Sequence, residues 1–304
     1  MATLLDQVIG TLVALPPDVV VSHQSAARVW DLPLPTPWSS ADPLDIMRTS
    51  AHTPLRRRGV RAHRGLERRR VVRHVGVPVV TAADTWCDLS GLVSVDDLVV
   101  IGDHLLHCER GLNPEDLDAA IRRRLLWRGA SSLPAARMLI RGRSASPMET
   151  RARLLFARGG LPEPELNAEI RHGVEGQWLA TPDFVWRSRR VAAEYDGDHH
   201  RTNARQWRND IGRREILADD GWRLVILTAA DILVQPDVAV SRLRRLLLPD
   251  QAVQPDQAVQ PGQPCRHPAL AAAFTSQRHT LKRRPKVSLG HEGPGRGAAA
   301  FRCG

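Results

Sequence analysis

Residues 181–197 read TPDFVWRSRRVAAEYDG, two short apolar runs that each end in acid, separated by the polar break RSRR. No other stretch constrains the fold as much, because loop length sets the register of two half-buried strands. A loop centred between Ser188 and Arg189 pairs Trp186 with Val191, Val185 with Ala192 and Asp183 with Glu194. An odd-length loop would slip that register. The absence of Gly or Asn from RSRR disfavours a two-residue turn, and a four-residue loop keeps the same pairs. Opposed residues hold their Cβ atoms about 4.5–5.5 Å apart, and like charges there destabilise the pair. Asp196, two residues beyond Glu194, projects to the same face. Facing carboxylates beside apolar strands call for a cation or a raised pKa.

Hard oxygen ligands suit Mg²⁺ or Mn²⁺, so Asp183, Glu194 and Asp196 form a candidate metal and catalytic set. The plainer alternative has Asp183 capping a turn after Pro182, with Glu194 and Asp196 fringing a strand end. Glu149 lies three residues after Ser146 in SPME, a capping box that accounts for it without a function. It joins the site only if its helix start abuts the hairpin. His199 and His200 follow Gly197 and suit a general base, a phosphate ligand or a metal ligand, or else an exposed loop.

The next segment is expected to be a helix over Ala204–Ala218, with Trp207, Ile211 and Ala218 as its apolar stripe. Arg201, Arg205, Arg208 and Arg213 make it strongly basic, which suits a phosphate backbone or simply a solvated face. Asp210 and Arg214 stand four apart and can pair. Over all 304 residues, 43 Lys+Arg against 33 Asp+Glu give a net charge of +10. That balance fits a polyanionic partner.

Residues 1–135 read as one α+β unit. A helix over Leu4–Leu15 is stopped by Pro16-Pro17, and VVVSHQSAARVW is a strand entering a helix that Ser22 could cap. LDIMRT, GVRAHRG and RRVVRHVGVPVV look like short strands. Helices then follow with capping signals at Thr81 and Ser94, and another over Pro114–Trp127. The second unit, 136–248, starts with a helix capped by Ser146, led by Pro147 and ended by Gly159-Gly160. Strand pieces at Leu166–Ile170, Trp178–Trp186 and Val191–Tyr195, the basic helix, the strand WRLVILT and a helix from Asp231 to near Leu248 complete it. This order implies a mixed sheet flanked by helices, an α/β arrangement. Residues 249–304, opened by the duplication DQAVQPDQAVQP and containing LKRRPK, read as a disordered tail rich in Pro, Gly and Arg. No transmembrane helix or signal peptide is expected. The four cysteines share no metal-like spacing, which suggests reduced thiols in a cytoplasmic protein.

SPMETRARLLFARGGLPEPELN, TPDFVW, AAEYDGDHHR, QWRNDIGRREILADDGW and LVILTAADIL together resemble the Vsr-like, restriction-endonuclase-type domain, over about residues 144–248. VVVSHQSAARVWDLPLP and GVPVVTAADTWCDL resemble the core of AbiEi-type antitoxin-like proteins, without the winged helix usual at their start. The resemblance implies a PD-(D/E)XK fold and Mg²⁺-dependent phosphodiester cleavage, with double-stranded DNA as substrate. Asp183 would then be the motif's first aspartate, Glu194 its next acid and Glu149 the helical acid upstream. Asp196 stands where lysine belongs. Vsr-like enzymes use histidines instead, so His199 or His200 could take that part, and Arg213 or Arg214 could supply positive charge. The expectation is a metal-dependent DNA endonuclease; the alternative is a nuclease-fold DNA-binding regulator that does not cut.

Overall fold

The first strand of the chain pairs on both sides. In the computed structural model, which describes residues 3–53, 55–107, 112–124, 131–173, 176–197 and 214–249, β1 (Val20–Val21) lies antiparallel to β2 (Leu44–Arg48) and parallel to β5 (Val77–Val80). β3 (Val60–Arg64) adds parallel to β2, and β4 (Val71–His74) adds antiparallel to β5, giving the order β3-β2-β1-β5-β4. Val8 from α1 (Leu4–Val13) and Ala26 from α2 (His23–Val29) bury against Val21, Ile46 and Val79 of this sheet. Thr3 and Asp6 close a capping box on α1. Ser22 precedes α2 as expected but makes no side-chain cap; its hydroxyl lies 3.1 Å from His23 Nδ1 instead.

Helices α3 (Ala82–Asp88), α4 (Val95–His107), α5 (Pro114–Arg124) and α6 (Ser132–Leu139) build a second core around Trp86, Leu98, Leu105, Leu117 and Leu133. Thr81 accepts from Asp84 N–H and Ser94 from Asp97 N–H, the expected caps. Leu154 of α7 (Pro147–Arg158) packs into this core, while Ala152 and Phe156 of the same helix pack into the next one. Helix α7 is therefore shared. A buried aspartate on α4 secures it: Asp103 accepts from Arg141 N–H (2.6 Å), Gly142 N–H (3.0 Å), Thr150 Oγ1 (2.9 Å) and Arg153 Nη2 (2.7 Å).

The remaining strands form a mixed sheet flanked by helices. β6 (Glu165–Leu166) and β9 (Phe184–Trp186) are antiparallel, as are β9 and β10 (Val191–Tyr195), while β10 runs parallel to β11 (Arg223–Leu227). β7 (Ile170–Arg171) and β8 (Trp178–Ala180) make a separate ribbon. The sequence run around Leu166–Ile170 thus serves two sheets, with Asn167 at φ 48° where it turns. One face of the mixed sheet buries Phe184, Trp186, Val191 and Val225 against Phe156 of α7. Phe156 meets Phe184 edge-on, with ring centroids 5.0 Å apart at 80°, worth about 1 kcal/mol beyond area burial. The other face buries Val185 and Ala192 with Ile170, Leu179, Trp222 and Leu217, the last from α8 (214–219). The single helix expected from Asp231 is two, α9 (Ala229–Leu233) and α10 (Pro236–Leu247). Pro236 has no N–H to continue the first, and its fixed φ suits the start of the second. Among the described residues, no helix is long and apolar enough to cross a membrane.

Candidate functional site

The hairpin β9–β10 has the register its loop length implies. Trp186 pairs with Val191, Val185 with Ala192 and Phe184 with Ala193. Residues 187–190 make the four-residue loop: a 3-10 turn over Arg187–Arg189, then Arg190 in the left-handed region at φ 49°. Arg187 holds the loop down, donating from Nε to Glu165 (2.8 Å) and from Nη2 to the Glu169 carbonyl (2.8 Å).

One step past Phe184, Asp183 has left the ladder and its side chain takes over. Its Oδ2 accepts from Tyr195 N–H at 2.7 Å, so the carboxylate extends the hairpin by one hydrogen bond after the backbone has turned away. Asp183's carbonyl in turn accepts from Asn167 N–H at 3.0 Å. On the far side, Glu194 pairs in register with Ile226 of β11, and Asp196 N–H donates to Leu227 O at 2.8 Å. Asn167, just past β6, Asp183, just before β9, and Glu194, on β10, thus lie at one end of the sheet. Glu194, two residues from Ala192, belongs to the face that carries Leu217 and Trp222. Glu194 and Asp196 are half-buried.

Glu149 reaches this end of the sheet through an intermediary. It is buried, with 7% of its surface exposed, in the first turn of α7, where its N–H donates to Ser146 Oγ (3.2 Å). Its carboxylate does not close the expected box on Ser146. Oε2 accepts from Ala145 N–H, one residue earlier, at 2.8 Å, and from Asn167 Nδ2 at 3.3 Å. Asn167 therefore touches Glu149 with its side chain and Asp183 with its backbone. The sequence reading passed it over, although an Asn between two strand pieces is among the few residues that accept a positive φ readily.

Arg214 is exposed on α8. His199, His200, Arg201, Arg205, Arg208 and Arg213 lie outside the described residues, as do the tail beyond 249 and most of the expected basic helix. Among the described residues, no three His, Cys, Asp or Glu side chains gather closely enough to hold a metal ion. The described part of the candidate set is two hairpin carboxylates, Asp183 and Glu194, with Asp196 following and Glu149 linked through Asn167.

No protein-family model matches the chain, and no solved structure matches it. Two uncharacterized proteins of Mycobacterium tuberculosis, MT2308 and Rv2248, are each 35% identical to it over 123 residues, 40% of this chain. The chain spans only 45% of the length of each of them in that match.

Proposed function

We propose that residues 136–248 form a metal-dependent endonuclease acting on double-stranded DNA. The observation that carries this reading is the hairpin register, whose last pair, Phe184 with Ala193, leaves Asp183 and Glu194 each one residue further on, at the same end of a mixed sheet. The donors are hard oxygens, the kind Mg²⁺ and Mn²⁺ prefer, and Mg²⁺ commonly uses one or two protein carboxylates with waters and substrate phosphate completing its shell. Asp183 and Glu194 would hold the ion, which when bound polarises the phosphodiester and makes its water a better nucleophile.

The chain's own residues carry the rest. Tyr195 N–H fixes the rotamer of Asp183, so one carboxylate is oriented before any ligand arrives. Glu149 and Asn167 brace the same end of the sheet. Asp196 brings negative charge where a lysine would stabilise the reacting phosphate, so the proton-handling group in this reading is His199 or His200. Arg201, Arg205, Arg208, Arg213 and Arg214 would follow the DNA backbone. In this reading the first unit, 1–135, positions the nucleic acid or senses a partner.

The test is cleavage of supercoiled plasmid with Mg²⁺ or Mn²⁺ by the full chain, beside Asp183→Asn and Glu194→Gln. Metal-dependent nicking that both variants lose supports the enzyme. Tight, metal-independent DNA binding with no nicking supports the non-cutting regulator instead. A single-stranded RNA arm reports whether the substrate is RNA.

A further inference from the structure

Strand β3 lies at an open edge of the first sheet, paired with β2 alone among the described residues. Together with the turn leading into it, residues 56–64 read RRRGVRAHR. Arg56, Arg57, Arg58, Arg61 and Arg64 are all exposed, and the stretch holds no acid. Two of these arginines are tied down. Arg57 Nη1 donates to Ala14 O at 2.6 Å, which fixes the side chain without neutralising it. Arg61 Nη1 lies 3.2 Å from Oδ1 of the buried Asp45, an oxygen that His63 Nε2 also meets. Arg56, Arg58 and Arg64 have no carboxylate partner among the described residues.

Guanidiniums set so close repel one another, a cost the fold itself does not require. Charge on an open edge does guard it against pairing with another sheet, but fewer charges serve that purpose. The opposite edge strand, β4, has Arg73 beside exposed Val71 and Val72. Acids of this unit are engaged elsewhere: Asp18 pairs with Arg48 and His52, and Glu67 accepts from the N–H and Oγ of Ser50. The positive excess along β3 is left for a polyanion.

Backbone donors lie among these side chains. Leu44 N–H donates to Gly59 O, and Gly65 N–H to Arg48 O, so odd-numbered residues of β3 face the ladder. The N–H groups of Ala62 and Arg64 therefore face away from β2. Val60–Arg64 covers about 13 Å at the usual rise per residue, the axial length of about four nucleotides of one duplex strand. Guanidiniums and backbone N–H groups are the donors that phosphate oxygens take. A membrane surface would ask for apolar side chains beside the basic ones, whereas Val60 and Ala62 pack into the core of their own sheet.

We propose that β3 and residues 56–58 form a docking surface for the sugar–phosphate backbone of a nucleic acid, contacted by Arg56, Arg58 and Arg64. The surface rests on the reading in which the first unit positions nucleic acid, and not on cleavage by the second.

Equilibrium binding of the full chain to duplex DNA, to single-stranded RNA and to phosphatidylserine vesicles, with metal chelated, tests this. The triple variant Arg56→Ser, Arg58→Ser, Arg64→Ser is compared with Arg189→Ser, Arg223→Ser, Arg245→Ser, which removes the same charge from exposed positions of the second unit. At low ionic strength the first triple should bind at least one nucleic acid about tenfold more weakly than the second does. Its slope of log affinity against log salt should be shallower by about three, one for each lost phosphate contact. The nucleic acid whose affinity falls is the ligand, DNA or RNA. The melting temperature should equal or exceed that of wild type, because repulsion is relieved. Equal losses in the two triples would reduce the surface to net charge. Melting well below wild type would make the arginines structural, and weakened vesicle binding with both nucleic acids unaffected would make the ligand a membrane. Each of these, or no binding of either nucleic acid by wild type, would overturn the assignment. Chelation keeps binding apart from cleavage: failure of the surface shows here, and failure of the nuclease reading shows only in the nicking assay.

Discussion

Asn167 Nδ2 lies 3.3 Å from Glu149 Oε2, which joins the first turn of α7 to the end of the hairpin sheet. The same nitrogen donates to Arg143 O at 2.6 Å, and Asn167 holds a φ of 48°. Side-chain contacts and backbone conformation can therefore be separated. Asn167→Gly keeps the turn and removes the contacts, at an expected cost of about 1–2 kcal/mol. Asn167→Ala adds the left-handed penalty of about 1 kcal/mol to that. Urea denaturation should rank the three proteins wild type, Gly, Ala. Equal stability of Gly and wild type would mean the bridge to Glu149 contributes nothing.

Asp103 gathers four donors on or beside α7, including the buried guanidinium of Arg153. Asp103→Ala strands that charge, which costs about 3–5 kcal/mol. Asp103→Asn keeps acceptor capacity and should cost less. Because α7 contributes to two cores, the loss should appear in both halves of the chain. Hydrogen exchange of amides on α4 and on β10 should accelerate together; acceleration confined to α4 would show that the helix does not couple them.

The hairpin register was legible in the sequence because it depends on local facts: a four-residue polar break between two apolar runs. The caps at Thr81, Ser94 and Ser146 were legible for the same reason. What escaped was contact between distant segments. Nothing near His23 announces that it stacks on His63, forty residues later, and nothing in SPME tells the Glu149 carboxylate to prefer Ala145 and Asn167 over Ser146. Pro236 did carry a local signal, the break between α9 and α10, that the unbroken apolar spacing of the region obscured.

Two groups of the first unit should oppose each other in acid. Burial, reinforced by Asp84 and countered by Arg69, raises Asp88 to about 7. Burial, then His63, Arg69 and Arg61, lowers His23 to about 3. Between about pH 4 and 6.5 the folded chain holds a proton on Asp88 that the unfolded chain lacks, so this group loses stability as pH rises. In the same window the unfolded chain holds a proton on histidine that folded His23 lacks, so this group gains stability as pH rises. Each slope is about 1.4 kcal/mol per pH unit, with opposite sign. These two terms nearly cancel in the wild type. Asp88→Asn should leave the histidine term, so its melting temperature, relative to wild type, should fall as pH is lowered from 6.5 to 4. An unchanged difference across that window would remove Asp88 from the balance.

Asp183 has a structural role that must be separated from any catalytic one. Its Oδ2 takes the Tyr195 N–H at 2.7 Å, a charge-assisted bond to backbone at the very end of the strand. Asp183→Ala removes that acceptor and should cost about 1–3 kcal/mol, so lost nicking in this variant alone would say little about chemistry. Asp183→Asn retains an amide oxygen for the same N–H and should cost under about 1 kcal/mol while removing the negative charge. If Asp183 holds a metal ion, Asn should abolish nicking while melting within a few degrees of wild type, and Ala should lose both. If Asp183 serves only the strand end, Asn should nick DNA nearly as well as wild type. The discriminating measurement is nicking rate against melting temperature for the two variants side by side, in Mg²⁺ and in Mn²⁺.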